Sequence, residues 1–272
     1  MKVCICSTAG CANLLNYYVN NKSFYFILRK EAKKIFRYRL KKIKTISYKK
    51  SINKCQKFYV GTGSDYDKNC IKNLKKKNKY VVAVFDHWIN FEKRIYREYL
   101  PDEAWVFDEI SKKILRKIYP SIKIILKKNL YFLDQKKIFS KTKKVKKDIL
   151  YISEPLEKKQ DIKSLNYFIN ILKKSNITFR YLLIKVHPKE KIKKYKKFLK
   201  KNKIKIKIFK NSKLISLFGS SKFVVGRNSM GLALSSYLKL KTFYCIPKSA
   251  GKFKLPDTKI RNFGKNIKKI EN

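Results

Sequence analysis

A histidine at the end of an apolar strand is the residue of this chain best placed to do chemistry. The segment VHPKE (186–190) follows the apolar stretch 178–186 and precedes a run of helical polarity. Proline suits the first turn of a helix because its missing N–H needs no partner there, and this puts His187 at the cap position, before Pro188. Helix N-termini attract anions, and a histidine there can stabilise a departing phosphate. From this dipeptide alone, an ordinary strand-to-helix turn is the simpler explanation.

A second turn of this kind, GRNSMG (226–231), follows the apolar strand FVV. Small and polar residues at a strand-to-helix turn can present backbone N–H groups and a hydroxyl to a phosphate, so Asn228, Ser229 and Gly231 are candidate phosphate-binding residues. The segment lacks the Gly-Lys-Ser/Thr ending of a Walker loop, which argues against an NTPase. The alternative is an ordinary helix start that Asn228 or Ser229 caps.

Taken together, the two turns resemble the second domain of bacterial GT-B glycosyltransferases of the sialyltransferase-like and capsule-polysaccharide type. Those enzymes carry a His-Pro motif and a serine motif further along the chain. The resemblance covers residues 148–250 and implies that His187, Pro188, Asn228 and Ser229 contact the phosphate of a sugar nucleotide, often CMP-sialic acid. The stretch NSMGLALSSYLKLKT (228–242) also resembles one common to nucleotide-sugar enzymes at large.

The first half of the chain offers carboxylates at strand ends. Asp86 ends the strand YVVAVF beside His87 and Trp88, so it is a candidate general base, and the Trp88 ring is a candidate stacking surface for a sugar. Asp65 follows the turn GTGS (61–64) and is a second candidate. The alternatives are a helix cap at Asp86, a core position for Trp88 and a plain turn at 61–64. The resembling transferases carry an acidic-acidic-Gly signature that is absent here, which leaves the identity of the base open.

Two further acidic positions follow strands. Glu154 ends the first strand of the second half and is a candidate to meet the base or ribose of a donor nucleotide. Asp108 and Glu109, after AWVF, have the same kind of position. A solvated turn is an equal alternative for each of them.

The elements that must position these residues follow an alternating pattern. Continuous apolar runs suit strands that are buried on both faces, and the runs of the first half are KVCICS (2–7), SFYFILR (23–29), IKTISY (43–48), KFYVG (57–61), YVVAVFD (80–86) and AWVFD (104–108). Segments of helical length lie between them, including 66–79 and 109–118. This alternation is typical of an open parallel sheet.

The pattern stops and then begins again. The polar, basic segment DQKKIFSKTKKVKK (134–147) is interpreted as a linker. After it come the strand candidates DILYIS (148–153), TFRYLLIKV (178–186), IKIKIF (204–209), KFVVG (222–226) and KTFYCI (241–246), with predicted helices at 161–174, 190–202, 212–219 and 229–238.

The predicted fold is therefore α/β, with two Rossmann-like, GT-B-like domains and an interdomain cleft. Residues 1–140 form an acceptor-side domain and residues 141–272 a nucleotide-sugar-binding domain. In such sheets, ligands bind beyond the carboxyl ends of the strands. The candidate cleft residues are Asp65, Trp88 and Glu154.

Charge dominates the composition. The net charge of +52 comes from 70 Lys and Arg against 18 Asp and Glu. A basic excess can indicate a polyanion partner, but Arg, the usual reader of nucleic acid, is scarce, and the other abundant residues are those of AT-rich codons. We therefore favour a compositional origin over a nucleic-acid-binding face. Peripheral contact with an anionic membrane is expected at about 1 kcal/mol per basic residue near the surface.

Six cysteines without CxxC spacing and only two histidines argue against a zinc site, so no metal is expected and the cysteines are interpreted as core thiols. The chain has no apolar run of the roughly 20 residues that span a bilayer and no signal-peptide pattern at its start. The expected location is the cytoplasm, including the inner face of the cell membrane.

The function predicted from these patterns is transfer of a sugar, such as a sialic-acid-like sugar, from a nucleotide-sugar donor to a glycan or lipid-linked acceptor. Asp86 and His187 are the predicted catalytic residues, with no cofactor beyond the donor substrate. The alternatives are a CDP-polyol phosphotransferase or a nucleotide-sugar epimerase on the same fold, and a basic nucleic-acid-binding protein. An epimerase is expected to carry more acid–base carboxylates and a longer chain.

Overall fold

The computed structural model describes residues 1–155, 160–196 and 204–267. The chain divides into two compact units, Met1–Tyr131 and Phe132–Asn272. Each unit is built on one six-stranded sheet with helices between its strands. The prediction of two Rossmann-like α/β domains is therefore confirmed.

The first unit alternates strands and helices from its first residues. Its strands are β1 (Lys2–Cys6), β2 (Phe24–Leu28), β3 (Lys57–Gly61), β4 (Tyr80–Val84), β5 (Glu103–Val106) and β6 (Lys123–Leu126). Its helices are α1 (Ala9–Leu15), α2 (Lys30–Leu40), α3 (Tyr48–Lys54), α4 (Asp65–Lys75), α5 (Phe91–Arg94) and α6 (Glu109–Ile118). The sequence pattern missed β6 (KIIL), which lies at the edge of the sheet.

All neighbouring strands of the first sheet are parallel, in the order β2-β1-β3-β4-β5-β6. The order reverses between β1 and β3, so the ligand-binding edge of such a sheet lies at their carboxyl ends. The predicted strand 43–48 is wrong. Only Thr45 pairs there, in a single bridge to Phe26, because Ser47 caps α3 by accepting a hydrogen bond from the N–H of Lys50 and so ends the extended segment.

The first sheet is buried on both faces. Along β1, Val3 and Ile5 belong to one hydrophobic cluster, whereas Cys4 and Cys6 belong to another. Successive side chains of a strand point to opposite faces, so a strand covered on both sides must be apolar throughout. This is why continuous apolar runs located these strands.

The cysteines are core residues. All six are buried free thiols. Burial raises the pKa of Cys4, Cys6 and Cys11, which keeps these thiols protonated and chemically inert.

The second unit follows the same plan. Its strands are β7 (Asp148–Ile152), β8 (Leu182–Lys185), β9 (Ile206–Phe209), β10 (Ser221–Gly226), β11 (Thr242–Tyr244) and β12 (Arg261–Asn262). The helices are α7 (Leu130–Ser140), which starts just before this unit, α8 (Gln160–Lys173), α9 (Leu214–Ser220), α10 (Met230–Tyr237) and α11 (Phe263–Asn266), with a 3-10 helix at Lys248–Ala250.

The second sheet is also parallel throughout, in the order β12-β11-β10-β7-β8-β9. The order reverses between β7 and β10. One face carries a cluster of large apolar side chains that includes Tyr151, Phe168, Phe223 and Phe263. Full burial of such a side chain contributes about 1.5–3 kcal/mol, so this cluster is a main source of stability for the unit.

Two predicted segments need correction. The linker interpretation of 134–147 is wrong for its first half, because α7 continues to Ser140, with Phe132 and Phe139 buried. In the predicted helix 190–202, residues 193–196 are helical and residues 197–203 lie outside the described part of the chain.

Among the described residues, no helix is long and apolar enough to cross a membrane. Within that same part of the chain, no group of three or more His, Cys, Asp or Glu side chains is arranged to hold a metal ion.

Candidate functional site

The carboxyl edge of the second sheet gathers the residues that the sequence singled out. His187 follows β8, Glu154 follows β7 and Ser229 follows β10. Because β7 lies between β8 and β10 in a parallel sheet, all three positions share one edge. The segments of His187 and Ser229 are two strand spacings apart, about 10 Å. This is also the switch point of the sheet, where ligands bind in folds of this kind.

Ser229 caps helix α10. Its Oγ accepts a hydrogen bond from the N–H of Leu232 at 3.2 Å, and its extended backbone is that of an N-cap residue. The first turn of α10 contains no acidic residue. The positive end of the helix dipole and its unpaired N–H groups are therefore not matched by a carboxylate of that turn.

The neighbours of Ser229 fix the turn in place. Asn228 donates from Nδ2 to Lys252 O at 3.2 Å, and its Oδ1 accepts from the N–H of Lys254 at 2.7 Å. A β-carbon added at Gly231 would lie 3.1 Å from Leu214 Cδ2 and 3.3 Å from Ile152 Cδ1, which is tighter than most such contacts. The glycine therefore lets α10 approach β7 closely.

The predicted helix start at His187 is wrong. β8 ends at Lys185, and the half-buried His187 leads into a turn that includes the exposed Pro188. The N–H of Glu190 donates to His187 O at 2.9 Å, and the N–H of Lys189 donates to His187 Nδ1 at 3.2 Å. With Nδ1 accepting, the proton of the neutral ring belongs on Nε2, which becomes the donor of this imidazole.

A buried serine holds the His187 turn against β7. Ser153 Oγ accepts from the N–H of His187 at 2.8 Å and donates to Glu190 Oε2 at 2.6 Å. Glu190 is buried and forms an ion pair with Lys194. Ser153 and Glu190 lie inside segments that the sequence singled out, but their contact was not predicted because it spans 37 positions along the chain.

Glu154 and Arg227 join the ends of β7 and β10. Arg227 Nε lies 3.4 Å from Glu154 Oε2, and the N–H of Asn228 donates to the same oxygen at 3.3 Å. Burial raises the pKa of Glu154, an effect that Asn228 and Arg227 oppose. Glu154 is therefore part of a buried ion pair, not a solvated turn. Arg227, only 3% exposed, was missed although it lies inside the motif GRNSMG.

In the first unit, Asp86 is held by an arginine. Arg94 Nη1 lies 2.6 Å from Asp86 Oδ1, and Arg94 also donates to Ile89 O at 3.2 Å and contacts Thr62. A β-carbon added at Gly10 would overlap Asp86 Oδ2. One carboxylate oxygen of Asp86 thus pairs with Arg94, and the other lies against the backbone of Gly10.

Asp67, which sequence reasoning missed, is the buried carboxyl of this edge. Its Oδ2 accepts from Ser7 Oγ at 2.7 Å, and Ser7 contacts the cap residue Ser64 at 2.6 Å. Burial raises the pKa of Asp67 to about 6, and the charge of Asp86 adds to the increase. The predicted candidate Asp65 is exposed in the first turn of α4.

Trp88 connects two strand ends of the same edge. It is half-buried, and its Nε1 donates to Asp108 Oδ2 at 2.8 Å. Asp108 also caps α6 by accepting from the N–H of Ser111 at 2.7 Å. One face of a ring held in this way can still serve as a stacking surface.

Gly10→Ala tests how tightly Asp86 is held. Alanine normally stabilises a helix relative to glycine by about 1 kcal/mol, but here its methyl group would displace Asp86 from Arg94. We expect a loss of about 1–3 kcal/mol in the free energy of unfolding, measured by urea denaturation.

Gly264→Ala in α11 is the matched control, because its β-carbon would meet only ordinary contacts, the nearest being Ile171 Cδ1 at 3.4 Å. A Gly10→Ala protein as stable as the wild type would show that Asp86 can move without loss.

Comparison with known proteins identifies solved structures that share this fold. No protein-family model and no curated protein matches this chain. Solved structures do match. The UDP-GlcNAc 2-epimerase of Methanocaldococcus jannaschii, in complex with UDP-GlcNAc and UDP, is 17% identical with a TM-score of 0.67, over 90% of this chain and 83% of that one.

Two further structures are similar. S. aureus MnaA in complex with UDP is 12% identical with a TM-score of 0.65, over 98% of this chain and 86% of that one. The wall teichoic acid polymerase TagF with CDPG is 14% identical with a TM-score of 0.54, over 100% and 78%. At these identities the likeness establishes the fold, which is GT-B-like.

Proposed function

We propose that the carboxyl edge of the second sheet binds the phosphate of a nucleotide-sugar donor, and that the chain is a glycosyltransferase. The observation that carries this proposal is that the N-terminus of α10 lies on the same sheet edge as His187. Ser229 caps this helix, and its first turn has no acidic residue. A helix N-terminus with free N–H groups binds phosphate through its dipole and its donors.

The charge pattern supports the choice of this edge. In the first unit, the first turn of α4 carries Asp65 and Asp67, and α6 begins with Glu109 after the cap Asp108. Those helix dipoles are already matched by carboxylates, which repel an anionic ligand. Helix α1, which begins at the switch point of the first sheet, also has no acidic residue in its first turn, but the carboxylate of Asp86 lies against its Gly10. We therefore assign the phosphate to the second unit, and the first unit offers acceptors for hydroxyl protons.

The proposed chemistry is transfer of a glycosyl group. The bond between the sugar's anomeric carbon and the donor phosphate breaks as an acceptor hydroxyl bonds to that carbon. Asp86 is the candidate to take the hydroxyl proton. Arg94 pairs with Oδ1 of Asp86 at 2.6 Å, so Oδ2 is the oxygen proposed to accept that proton. The Nε2–H of His187 and the N-terminus of α10 would stabilise the charge on the leaving phosphate, without a metal ion.

The donor sugar and the acceptor are proposed at the level of class. A sialic-acid-like sugar and a glycan or lipid-linked acceptor are the substrates that the His-Pro resemblance implies. The solved structures of similar fold carry UDP-GlcNAc, UDP or CDPG, so nucleotide-linked substrates recur on this architecture. Work at the inner face of the cell membrane is consistent with the charge of +52.

A nucleotide screen tests the proposal. We expect one of CMP, CDP, UDP or GDP to raise the melting temperature, since a ligand at about 100 times its Kd adds about 2.7 kcal/mol of stability. Ser229→Ala should weaken that shift, with Ser216→Ala as the control, because Ser216 is an exposed serine whose hydroxyl donates to Lys213 O within its own turn. If none of the four shifts the wild-type melting temperature, the phosphate-site assignment is wrong.

The products identify the reaction. A glycosyltransferase releases the nucleotide and adds a sugar to the acceptor, with EDTA causing no loss. A CDP-polyol phosphotransferase would add phosphorus to the acceptor, and an epimerase would return an intact nucleotide sugar with one inverted carbon. Either of the last two products would replace the proposed reaction while keeping the phosphate site.

A further inference from the structure

Behind the His187 turn lies a chain of buried polar side chains. The hydroxyl oxygen of Tyr195 is 2.8 Å from Asp161 Oδ2 and 2.8 Å from Glu190 Oε2. Tyr195 and Asp161 are fully buried, and Glu190 is nearly so. Glu190 in turn accepts a hydrogen bond from the hydroxyl of Ser153, and the Ser153 oxygen accepts a hydrogen bond from the N–H of His187.

The number of protons in this chain is constrained. A tyrosine hydroxyl has one proton and can donate it to only one of its two carboxyl neighbours. In the second contact at 2.8 Å, a lone pair of the phenol oxygen would then face a lone pair of the carboxylate and repel it, unless that carboxyl group itself carries a proton. One of Asp161 and Glu190 must therefore be a carboxylic acid for both contacts to be hydrogen bonds.

Asp161 is the better place for that proton. Glu190 is paired with Lys194 and accepts a hydrogen bond from Ser153, both of which favour its charged form. Asp161 instead receives neutral donors, the N–H of Glu154 at 3.1 Å and the hydroxyl of Tyr151 at 3.2 Å.

The charges around Asp161 agree with this choice. Burial raises the pKa of Asp161 to about 6, a net value that includes a smaller increase from the charge of Glu190 and decreases from the hydrogen bonds of Tyr195 and Glu154 and the charge of Lys194. Burial also raises the pKa of Tyr151 and Tyr195, so both phenols keep their protons. Among the residues that the structure describes, the titratable and charged groups that face this site are Tyr151, Glu154, Glu190, Lys194, Tyr195 and Arg227.

We propose that Asp161, in its protonated form at mildly acidic pH, is a neutral carboxylic acid that positions the His187 turn through Tyr195, Glu190 and Ser153. Asp161 donates to the Tyr195 oxygen, Tyr195 donates to Glu190, and Ser153 donates to Glu190 while it accepts the N–H of His187. Every proton then has one acceptor. Asp161 is a positioning residue, and its importance for catalysis rests on the proposed function of His187.

The first test uses Asp161→Asn, which mimics the protonated acid. The amide nitrogen can donate to Tyr195, and the amide oxygen can accept from Glu154, at every pH. In the wild type, burial raises the pKa of Asp161 from the ordinary value of about 3.9 to about 6, so the folded state binds the proton more tightly. The stability that this proton contributes is therefore fully present below about pH 4 and is lost as the pH rises through 6.

We compare the equilibrium constant for opening of the second unit in the wild type with that in Asp161→Asn. The ratio of the two constants should rise roughly a hundredfold between pH 4 and pH 7, because a pKa difference of one corresponds to a factor of about ten. The measurement is amide hydrogen exchange of β7, followed by mass spectrometry. Tryptophan fluorescence is unsuitable because Trp88 and Trp105 both lie in the first unit. Asp67 titrates in the same range but is present in both proteins, so its effect cancels in the ratio.

The second test separates positioning from bulk stability. Tyr195→Phe removes the hydroxyl between Asp161 and Glu190, whereas Tyr151→Phe removes a hydroxyl that contacts Asp161 on its other oxygen. Exchange in the segment 186–190 should become about tenfold faster in Tyr195→Phe relative to β7, the effect of losing one good hydrogen bond. Tyr151→Phe should leave that ratio within about twofold of the wild type.

Two results would overturn the proposal. A wild type that gains stability over Asp161→Asn as the pH rises would mean that Asp161 is buried as a carboxylate. Equal exchange of the 186–190 segment in the two phenylalanine variants would mean that the hydroxyl of Tyr195 does not position His187. Neither measurement uses a nucleotide, so a failed nucleotide screen would remove the proposed function without deciding this question.

Discussion

His187→Ala is expected to lower the rate of sugar transfer by about a hundredfold or more and to leave the fold intact. The ring is half-buried in a turn at the carboxyl edge of the second sheet, with Nδ1 accepting from the backbone and Nε2 as its donor. A preorganised donor aimed at a developing charge supplies about 2.7–4 kcal/mol of transition-state stabilisation. The measurement is kcat/KM with the donor whose nucleotide raises the melting temperature.

The other histidine of the chain provides the control. His87 belongs to the first unit, next to Trp88, and is not one of the proposed phosphate-binding residues, so His87→Ala removes an imidazole and leaves those residues unchanged. Ser229→Ala should also lose stability, by about 1 kcal/mol, because the cap of α10 disappears. Unchanged rates in both His187→Ala and Ser229→Ala, with a verified substrate, would reduce the two motifs to ordinary turns.

The strands of both sheets could be predicted from the sequence because a strand that is buried on both faces is a continuous apolar run. Five of the six strands of the first unit follow continuous apolar runs, and α6 begins and ends where its polarity predicted, at Glu109 and Ile118. Helix α1 was missed because its seven residues are small and apolar, without a clear helical period. Strand β12 has only two residues, too few for any pattern.

The site was harder to predict because its contacts are distant in sequence. The motifs placed His187 and Ser229 after strands, and parallel pairing then put them on one edge. The helix start expected at Pro188 gave way to a turn, since the hydrogen bonds from Glu190 and Lys189 to His187 close the backbone earlier. Asp67 has only the Ser-x-x-Asp spacing of a helix cap with Ser64, and its partner Ser7 is 60 positions away. Asp161 has no motif and meets Tyr195 only in the folded chain.

Arg227→Ala is expected to destabilise the second unit by about 3–5 kcal/mol, the usual effect of breaking a buried ion pair. The guanidinium is 3% exposed, donates to Ala250 O at 2.6 Å and Ser164 Oγ, and lies beside Glu154. Its loss leaves the carboxylate of Glu154 buried and uncompensated. Urea denaturation followed by far-UV circular dichroism measures the change, and Arg97→Ala is the control because Arg97 forms an exposed pair worth about 0–1 kcal/mol.

The double variant Arg227→Ala, Glu154→Gln decides how much of that loss is electrostatic. If the uncompensated charge dominates, neutralising Glu154 should recover at least about 1–2 kcal/mol, because an amide is far less costly to bury than a carboxylate. If the double variant is as unstable as Arg227→Ala, the loss comes from the hydrogen bonds to Ala250 and Ser164, and Arg227 is a packing anchor of the 3-10 helix and α8. A nucleotide that still binds the double variant would show that Glu154 and Arg227 shape the edge without contacting the donor.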